Sequence, residues 1–163
     1  MRSVEELDAM SPSDAAEILR SCCGATRWVN EMVAMRPFRS TAGIHAAADE
    51  AWSRTSPADW LEAFSHHPRI GERKVEGWAK GEQAAASSAS ESTQQQLVDI
   101  NRAYEEKFGH IYIICATGKS AEEMLDIARK RMNNDAESEL HAAAEEQRKI
   151  MQLRLRKLLG ENQ

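Results

Sequence analysis

The sequence predicts an all-α fold, a compact single-domain helical bundle with one long functional loop between helices. The good helix formers alanine, glutamate, leucine, arginine and lysine are abundant, whereas 8 glycines and 4 prolines are spread over 163 residues. Helix-capping patterns recur along the chain, and this length suits one domain, which we assign to residues 1–163.

Capping residues mark where the predicted helices begin. Ser11–Asp14 and Ser56–Asp59 each place a serine N-cap before a proline at the first helical position, and Ser120–Glu123 reads as a capping box. In the last predicted helix, apolar residues recur at three- and four-residue steps until Gly160 ends the pattern. The predicted helices cover residues 12–22, 25–35, 41–54, 57–65, 92–107, 121–132 and 135–159.

Two stretches do not have a helical pattern. Residues 109–118, GHIYIICATG, are β-branched and apolar, which predicts one extended segment or a buried bridge between helices. Residues 66–91 contain a proline, three glycines and the run AAASSASE, and they are too long for a passive connection in a compact helical domain. We therefore expect this loop to be mobile or functional.

Composition and charge argue against several classes of protein. The net charge is −5 and the isoelectric point about 5.6, so no nucleic-acid partner is expected. The sequence contains no run of 18 apolar residues, so no membrane span is expected. The first ten residues do not resemble a signal peptide, GENQ is not a peroxisomal signal, and three cysteines predict no disulfide framework. We expect a cytoplasmic protein with reduced thiols.

The usual catalytic signatures are absent from the sequence. His66 and His67 are adjacent and should diverge, and neither HExxH nor paired CxxC spacing occurs, so no metal site is expected. No GxSxG occurs, and Cys115 lies in an apolar run where a thiol is inert. The glycines of GERKVEGWAKGE are irregularly spaced and follow no strand, which argues against a phosphate-binding loop.

His67 and Glu82 remain as candidates because both lie in the long loop. A histidine before proline is kept out of the α region, so His67 falls at a fixed helix boundary. A nearby carboxylate would raise the imidazole pKa and fix its tautomer, which suits acid–base chemistry. The alternative is a histidine that complements a helix C-terminus. Three further cations suit either an anionic substrate or a solvated face: Arg69, Arg73 and Lys74.

Several motifs in order resemble the family of 2-oxo-4-hydroxy-4-carboxy-5-ureidoimidazoline (OHCU) decarboxylases, over essentially the whole chain. They are His67–Gly71 (HPRIG), Trp78–Gln83 (WAKGEQ), Asn101–Gly109, Ile111–Ala116, Arg131–Asn134 and Ile150–Leu155. The chain departs from the family pattern at Ala79, at Ile111 and at Tyr112, which adds a hydroxyl, and residues 84–91 are expected to be mobile without ligand.

The resemblance implies a cofactor-independent decarboxylase that acts on a small anionic substrate, OHCU, and yields S-allantoin and CO2. In this interpretation His67 is the acid–base group, and Glu82 holds His67 or the ureido nitrogens of the substrate. His66 is then a structural neighbour. The substrate-binding residues would be Pro68, Gln83, Arg154 and the backbone of Tyr112, Ile113, Ile114, Cys115 and Ala116. The resemblance also implies a homodimer.

Two other functions stay open at this point. A helical interaction module would account for the amphipathic helices but gives no reason for residues 66–91 or for the ordered motifs. A hydrolase of a related ureide would use a similar site without releasing CO2.

Overall fold

The computed structural model describes residues 1–71 and 77–161. These residues form ten helices and no β-strand, which confirms the all-α prediction. They divide into two compact units, one formed by Met1–Ala63 with the chain from Gln147 onward, the other by Phe64–Glu146. The assignment of residues 1–163 to a single domain stays a prediction.

The first unit contains four complete helices and parts of two others. They are α1 (Val4–Ala9), α2 (Pro12–Arg20), α3 (Thr26–Ala34), α4 (Thr41–Ser53), most of α5 (Pro57–Ser65) and the C-terminal part of α10 (Ala136–Leu159). Its core includes Trp28, which is fully buried and donates from Nε1 to the carbonyl of Ala48 at 3.1 Å. That bond satisfies the indole N–H inside an apolar core, where an unpaired donor would be costly.

The capping predictions can be compared with these helix starts. The Ser11 hydroxyl accepts from the backbone N–H of Asp14 at 3.2 Å, and Ser120 forms the predicted capping box. At Ser56 the direction is reversed, because its N–H and hydroxyl both donate to Asp59, at 2.9 and 3.0 Å. Helix α1 was not predicted, since six residues rarely make a helix alone; its buried residues, one of them Leu7, stabilise it through packing.

The second unit is built around a pair of packed helices. Its elements are α6 (Trp78–Glu82), α7 (Ala84–Ser87), α8 (Glu91–Phe108), α9 (Ala121–Arg131), the end of α5 and the N-terminal part of α10. Helices α8 and α9 pack together over a core that includes Leu97, Tyr104 and Met124. Helix α8 ends at Gly109, whose φ of 79° needs the left-handed conformation that glycine adopts easily.

The two stretches without a predicted helix have different outcomes. Residues 66–91 contain helices α6 and α7, so the expected long loop is interrupted by helix. Ala84–Ser87, expected to be mobile, form α7, in keeping with the high helix propensity of alanine. Residues 111–116 have neither helix nor strand and 112–116 are buried, as a bridge between helices would be. Arg73 and Lys74 lie outside the described residues.

Candidate active site

His67 lies just beyond the end of α5, as its position before Pro68 predicts. Its backbone N–H donates to the carbonyl of Phe64 at 3.1 Å, which continues the helical turn past Ser65. The His67 side chain is partly buried, whereas that of His66 is exposed. The two adjacent histidines therefore occupy different environments, and only His67 is partly enclosed by protein.

The turn after Pro68 is fixed by three side chains of the second unit. Arg69 Nε donates to Glu105 Oε1 at 2.9 Å, and the Asn101 amide donates to the carbonyl of Ile70 at 2.8 Å. The backbone N–H of Gly71 donates to Gln83 Oε1 at 3.1 Å. These contacts tie the segment that follows His67 to helix α8 and to the end of α6.

Gln83 and Glu82 take different positions although they are neighbours. Gln83 is 5% exposed and its oxygen accepts from Gly71, so this predicted substrate-binding residue also joins two parts of the chain. Glu82, the last residue of α6, is partly exposed. Its charge acts on the thiol of Cys115, which places it near the irregular segment 112–116.

Side chains take the place of strand partners along segment 112–116. Arg131 Nη1 donates to the carbonyl of Ile113 at 2.7 Å. The N–H of Cys115 donates to Glu146 Oε1 at 3.1 Å, and its carbonyl accepts from Lys119 Nζ at 2.8 Å. The chain is thus held at Ile113 and at Cys115, two residues apart.

Ile114 lies between Ile113 and Cys115 and is buried, and its peptide groups make no hydrogen bond within the described part of the chain. The side chain and backbone together are 3% exposed, and neither the N–H nor the C=O of Ile114 has a hydrogen-bond partner among the described residues. A buried peptide group without a partner costs about 1–3 kcal/mol. A ligand with one donor and one acceptor would satisfy both groups.

The environments of Tyr112 and of the Cys115 thiol do not favour a reactive role for either side chain. The Tyr112 hydroxyl donates to the carbonyl of Met124 at 2.9 Å, and burial raises the pKa of Tyr112 above its ordinary value. Burial also raises the pKa of the Cys115 thiol; Lys119 opposes this shift, while Glu146 and Glu82 add to it. The thiol therefore stays protonated at neutral pH, in agreement with the inert role predicted for it.

A buried charged cluster lies behind the segment. Glu139 is 0% exposed and accepts from Arg131 Nε at 2.7 Å, from the Tyr104 hydroxyl at 2.5 Å and from the Asn134 amide at 3.0 Å. Burial first, and then the hydrogen bond to Glu139, raise the pKa of Tyr104, so its hydroxyl remains a donor. No pattern in the sequence pointed to a role for Glu139.

Arg154 belongs to the other unit of the chain. It lies on the C-terminal part of α10, and its Nη1 donates to the carbonyl of Ser21 at 3.4 Å. Its charge also partly offsets the effect of burial on the thiols of Cys22 and Cys23. The second unit contains the other predicted site residues, from His67 to Ala116.

The described residues contain no group of three or more His, Cys, Asp or Glu side chains arranged to hold a metal ion. None of the helices within 1–71 and 77–161 combines the length and the apolar character needed to cross a bilayer.

The chain is similar to proteins of urate degradation. It is 38% identical over 148 residues to the uric acid degradation bifunctional protein TTL of Arabidopsis thaliana, covering 86% of this chain and 46% of that protein. It is 27% identical over 132 residues to the 2-oxo-4-hydroxy-4-carboxy-5-ureidoimidazoline decarboxylase of Haloferax volcanii, covering 78% and 79%. The chain thus spans less than half the length of the Arabidopsis relative, and one third of two Bacillus relatives named as uric acid degradation bifunctional proteins.

Two solved structures resemble this chain over most of its length. A crystal structure of OHCU decarboxylase in the presence of (S)-allantoin superposes with a TM-score of 0.79 at 36% identity, covering 87% of this chain and 96% of that one. A crystal structure of (S)-allantoin synthase shares the fold, with a TM-score of 0.74 at 17% identity over 96% of this chain and 53% of that one. Since the family model of OHCU decarboxylase matches residues 8–156, nearly the whole length, the chain belongs to the OHCU decarboxylase family.

Proposed function

We propose that this chain is a cofactor-independent carboxy-lyase that converts OHCU to (S)-allantoin and CO2 in urate degradation. The observation that carries the proposal is segment 112–116, in which the peptide groups of Ile114 are buried without a hydrogen-bond partner among the described residues. Membership of the OHCU decarboxylase family supports the choice of reaction. The relative whose structure was determined in the presence of (S)-allantoin supports the choice of product.

The chemistry of this substrate explains why the protein would need no cofactor. One ring carbon of OHCU carries both a hydroxyl and a carboxylate, and the next ring carbon is part of a C=N bond. When the bond to the carboxylate breaks, its electron pair moves into that C=N bond and CO2 leaves. The substrate therefore provides its own electron sink, a task that other decarboxylases give to a cofactor.

The protein would provide orientation and proton transfer. His67 would take the hydroxyl proton or later deliver a proton to the carbon that bears the ureido group; delivery from one face sets the S configuration. Glu82 would hold His67 or the ureido nitrogens. The peptide groups of Ile114 match an amide-like donor and acceptor on the substrate. Among the remaining substrate contacts, the amide of Gln83 would bind the ureido group and the guanidinium of Arg154 would bind the carboxylate.

We extend the proposal to assembly and location. A homodimer is supported by the family resemblance and by the amphipathic pattern of the last helix. A cytoplasmic location is supported by the three cysteines, which are free and buried.

A comparison of the two adjacent histidines tests the proposal. His67→Ala should lower the rate of (S)-allantoin formation by about 10²–10⁴-fold, the usual contribution of a general acid–base group. His66→Ala is the matched control, because it removes the same side chain at an exposed position one residue away. The rate is followed by circular dichroism of freshly generated OHCU as it decays to optically active allantoin. Full stereospecific turnover by the folded His67→Ala protein would show that His67 is not the acid–base group.

The same assay separates the alternative functions. A helical interaction module would leave OHCU to decay at its spontaneous rate and give racemic allantoin. A ureide hydrolase would consume its substrate without releasing CO2 from the ring carboxylate. Stoichiometric CO2 together with (S)-allantoin is expected only from the decarboxylase.

A further inference from the structure

The second unit contains an ion pair in its core that the proposed reaction does not use directly. Arg131 and Glu139 have side chains that are 11% and 0% exposed, and their closest atoms are 2.5 Å apart. Burying two charges is costly even when they pair, and an apolar pair of similar size is often as stable or more so. Stability alone is thus a weak reason for placing an arginine here, and its other contacts are informative.

Arg131 joins Glu139 to segment 112–116. Nε of its guanidinium donates to Glu139 at 2.7 Å, while Nη1 donates to the carbonyl of Ile113 at 2.7 Å. The same planar group lies 5.0 Å from the centre of the Tyr112 ring. A guanidinium presents several donors in a rigid fork, so fixing one edge against a carboxylate fixes the direction of the others.

Glu139 is itself fixed from two further directions. The Tyr104 hydroxyl and the Asn134 amide both donate to its carboxylate, at 2.5 and 3.0 Å. These contacts leave the carboxylate little freedom to rotate. Arg131 is therefore held by a rigid partner, which makes it suitable for orienting a backbone.

Holding Ile113 determines where the neighbouring peptide groups point. The Ile113 carbonyl and the Ile114 N–H belong to one planar trans peptide unit and point in opposite directions, and the Ile114 carbonyl is related to the Cys115 N–H in the same way. Arg131 binds the carbonyl of Ile113, while Glu146 binds the N–H and Lys119 the carbonyl of Cys115. Protein side chains therefore already use these three backbone groups. The N–H and C=O of Ile114 point away from these side chains and have no hydrogen-bond partner among the described residues.

We propose that Arg131 is a positioning residue for the substrate, which acts by fixing the Ile113 carbonyl and thereby the direction of the Ile114 peptide groups, with Glu139 orienting its guanidinium. This inference rests on the proposed function of segment 112–116 in holding OHCU. Arg131 touches the backbone rather than the substrate. Its loss should therefore misplace the substrate while leaving the acid–base group intact.

Two variants separate this role from a contribution to stability. Arg131→Lys keeps the positive charge beside Glu139 but replaces the fork with a single ammonium. Arg131→Met/Glu139→Gln removes both charges, so no unpaired charge is buried, and the amide oxygen of the glutamine can still accept from Tyr104. Arg129→Lys is the matched control, because Arg129 lies on the same helix with a side chain 53% exposed.

The steady-state assay measures kcat and KM for stereospecific allantoin formation. We expect both Arg131 variants to lose at least about tenfold in kcat, because small errors in substrate placement slow the chemical step. Arg129→Lys should match the unchanged protein. The double variant, folded by circular dichroism and with unchanged kcat, would overturn the inference.

Amide hydrogen exchange gives a second measurement that needs no activity. If Arg131 fixes the segment, the amide of Cys115 should exchange at least about tenfold faster in Arg131→Lys than in Arg129→Lys, since losing the anchor allows local opening. Equal exchange in these two proteins would contradict the inference. An unchanged protein that does not decarboxylate OHCU would refute the proposed function instead, and the exchange result would still decide whether Arg131 anchors the segment.

Discussion

The adjacent thiols of Cys22 and Cys23 should make the folded protein sensitive to alkaline pH. They are 0% and 1% exposed, and burial is the main cause that raises the pKa of each from 9.0 to about 12. Between these values the unfolded chain loses thiol protons that the folded chain keeps. Stability from this source is complete below pH 9 and is lost as pH rises toward 12.

The size of the effect follows from these two values. Each thiol should lower the free energy of unfolding by about 1.4 kcal/mol per pH unit above pH 9. Between pH 8 and pH 11 the two thiols together should cost about 5 kcal/mol. That is comparable with the whole stability of many domains, about 5–15 kcal/mol.

Urea unfolding followed by circular dichroism under reducing conditions measures this effect. A Cys22→Ala/Cys23→Ala protein is the control, because other alkaline groups contribute equally to both proteins and cancel. Between pH 8 and pH 11 the unchanged protein should lose about 5 kcal/mol more than the variant. Equal losses of stability in the two proteins would show that burial does not raise the pKa values of the Cys22 and Cys23 thiols.

Three other outcomes are expected. Tyr112→Phe should lower the free energy of unfolding by about 1 kcal/mol with unchanged kcat/KM, because its hydroxyl binds the carbonyl of Met124; a fall in kcat/KM would place that hydroxyl on the substrate. Gly43→Ala should lower the melting temperature although alanine favours helices, because the new Cβ would lie 2.1 Å from the carbonyl oxygen of Phe38; a higher melting temperature would contradict this. Activity on OHCU should survive exhaustive chelation because the substrate holds its own electron sink, and loss that zinc restores would indicate a metal site.

The helices were predictable where local signals decide them. Ser11 and Ser120 cap helices within a few residues of themselves, and such contacts can be read from sequence. Helix α1 could not be predicted because its stability comes from the burial of Val4 and Leu7, which a pattern of six residues does not reveal. The short helices α6 and α7 were missed because glycine and serine in residues 66–91 suggested a loop.

Part of the candidate site could likewise be predicted from local sequence, and part of it could not. The boundary position of His67 follows from the proline after it, and the irregular segment follows from its β-branched residues. The side chains that hold the segment could not be predicted, because Arg131 lies 18 residues and Glu146 31 residues from the groups they bind. A charged residue on a helical face gives no sign in the sequence that it turns inward.

The hydrogen bond from Gly71 to Gln83 also has a consequence for redesign of this protein. It joins residues 12 apart, one of them in the turn that follows His67 and the other directly after Glu82. Closing a longer stretch costs only about 0.6 kcal/mol for each doubling of its length. A longer connection between Gly71 and Gln83 should therefore cost the protein little stability, while this hydrogen bond keeps the neighbours of both candidate catalytic groups in place.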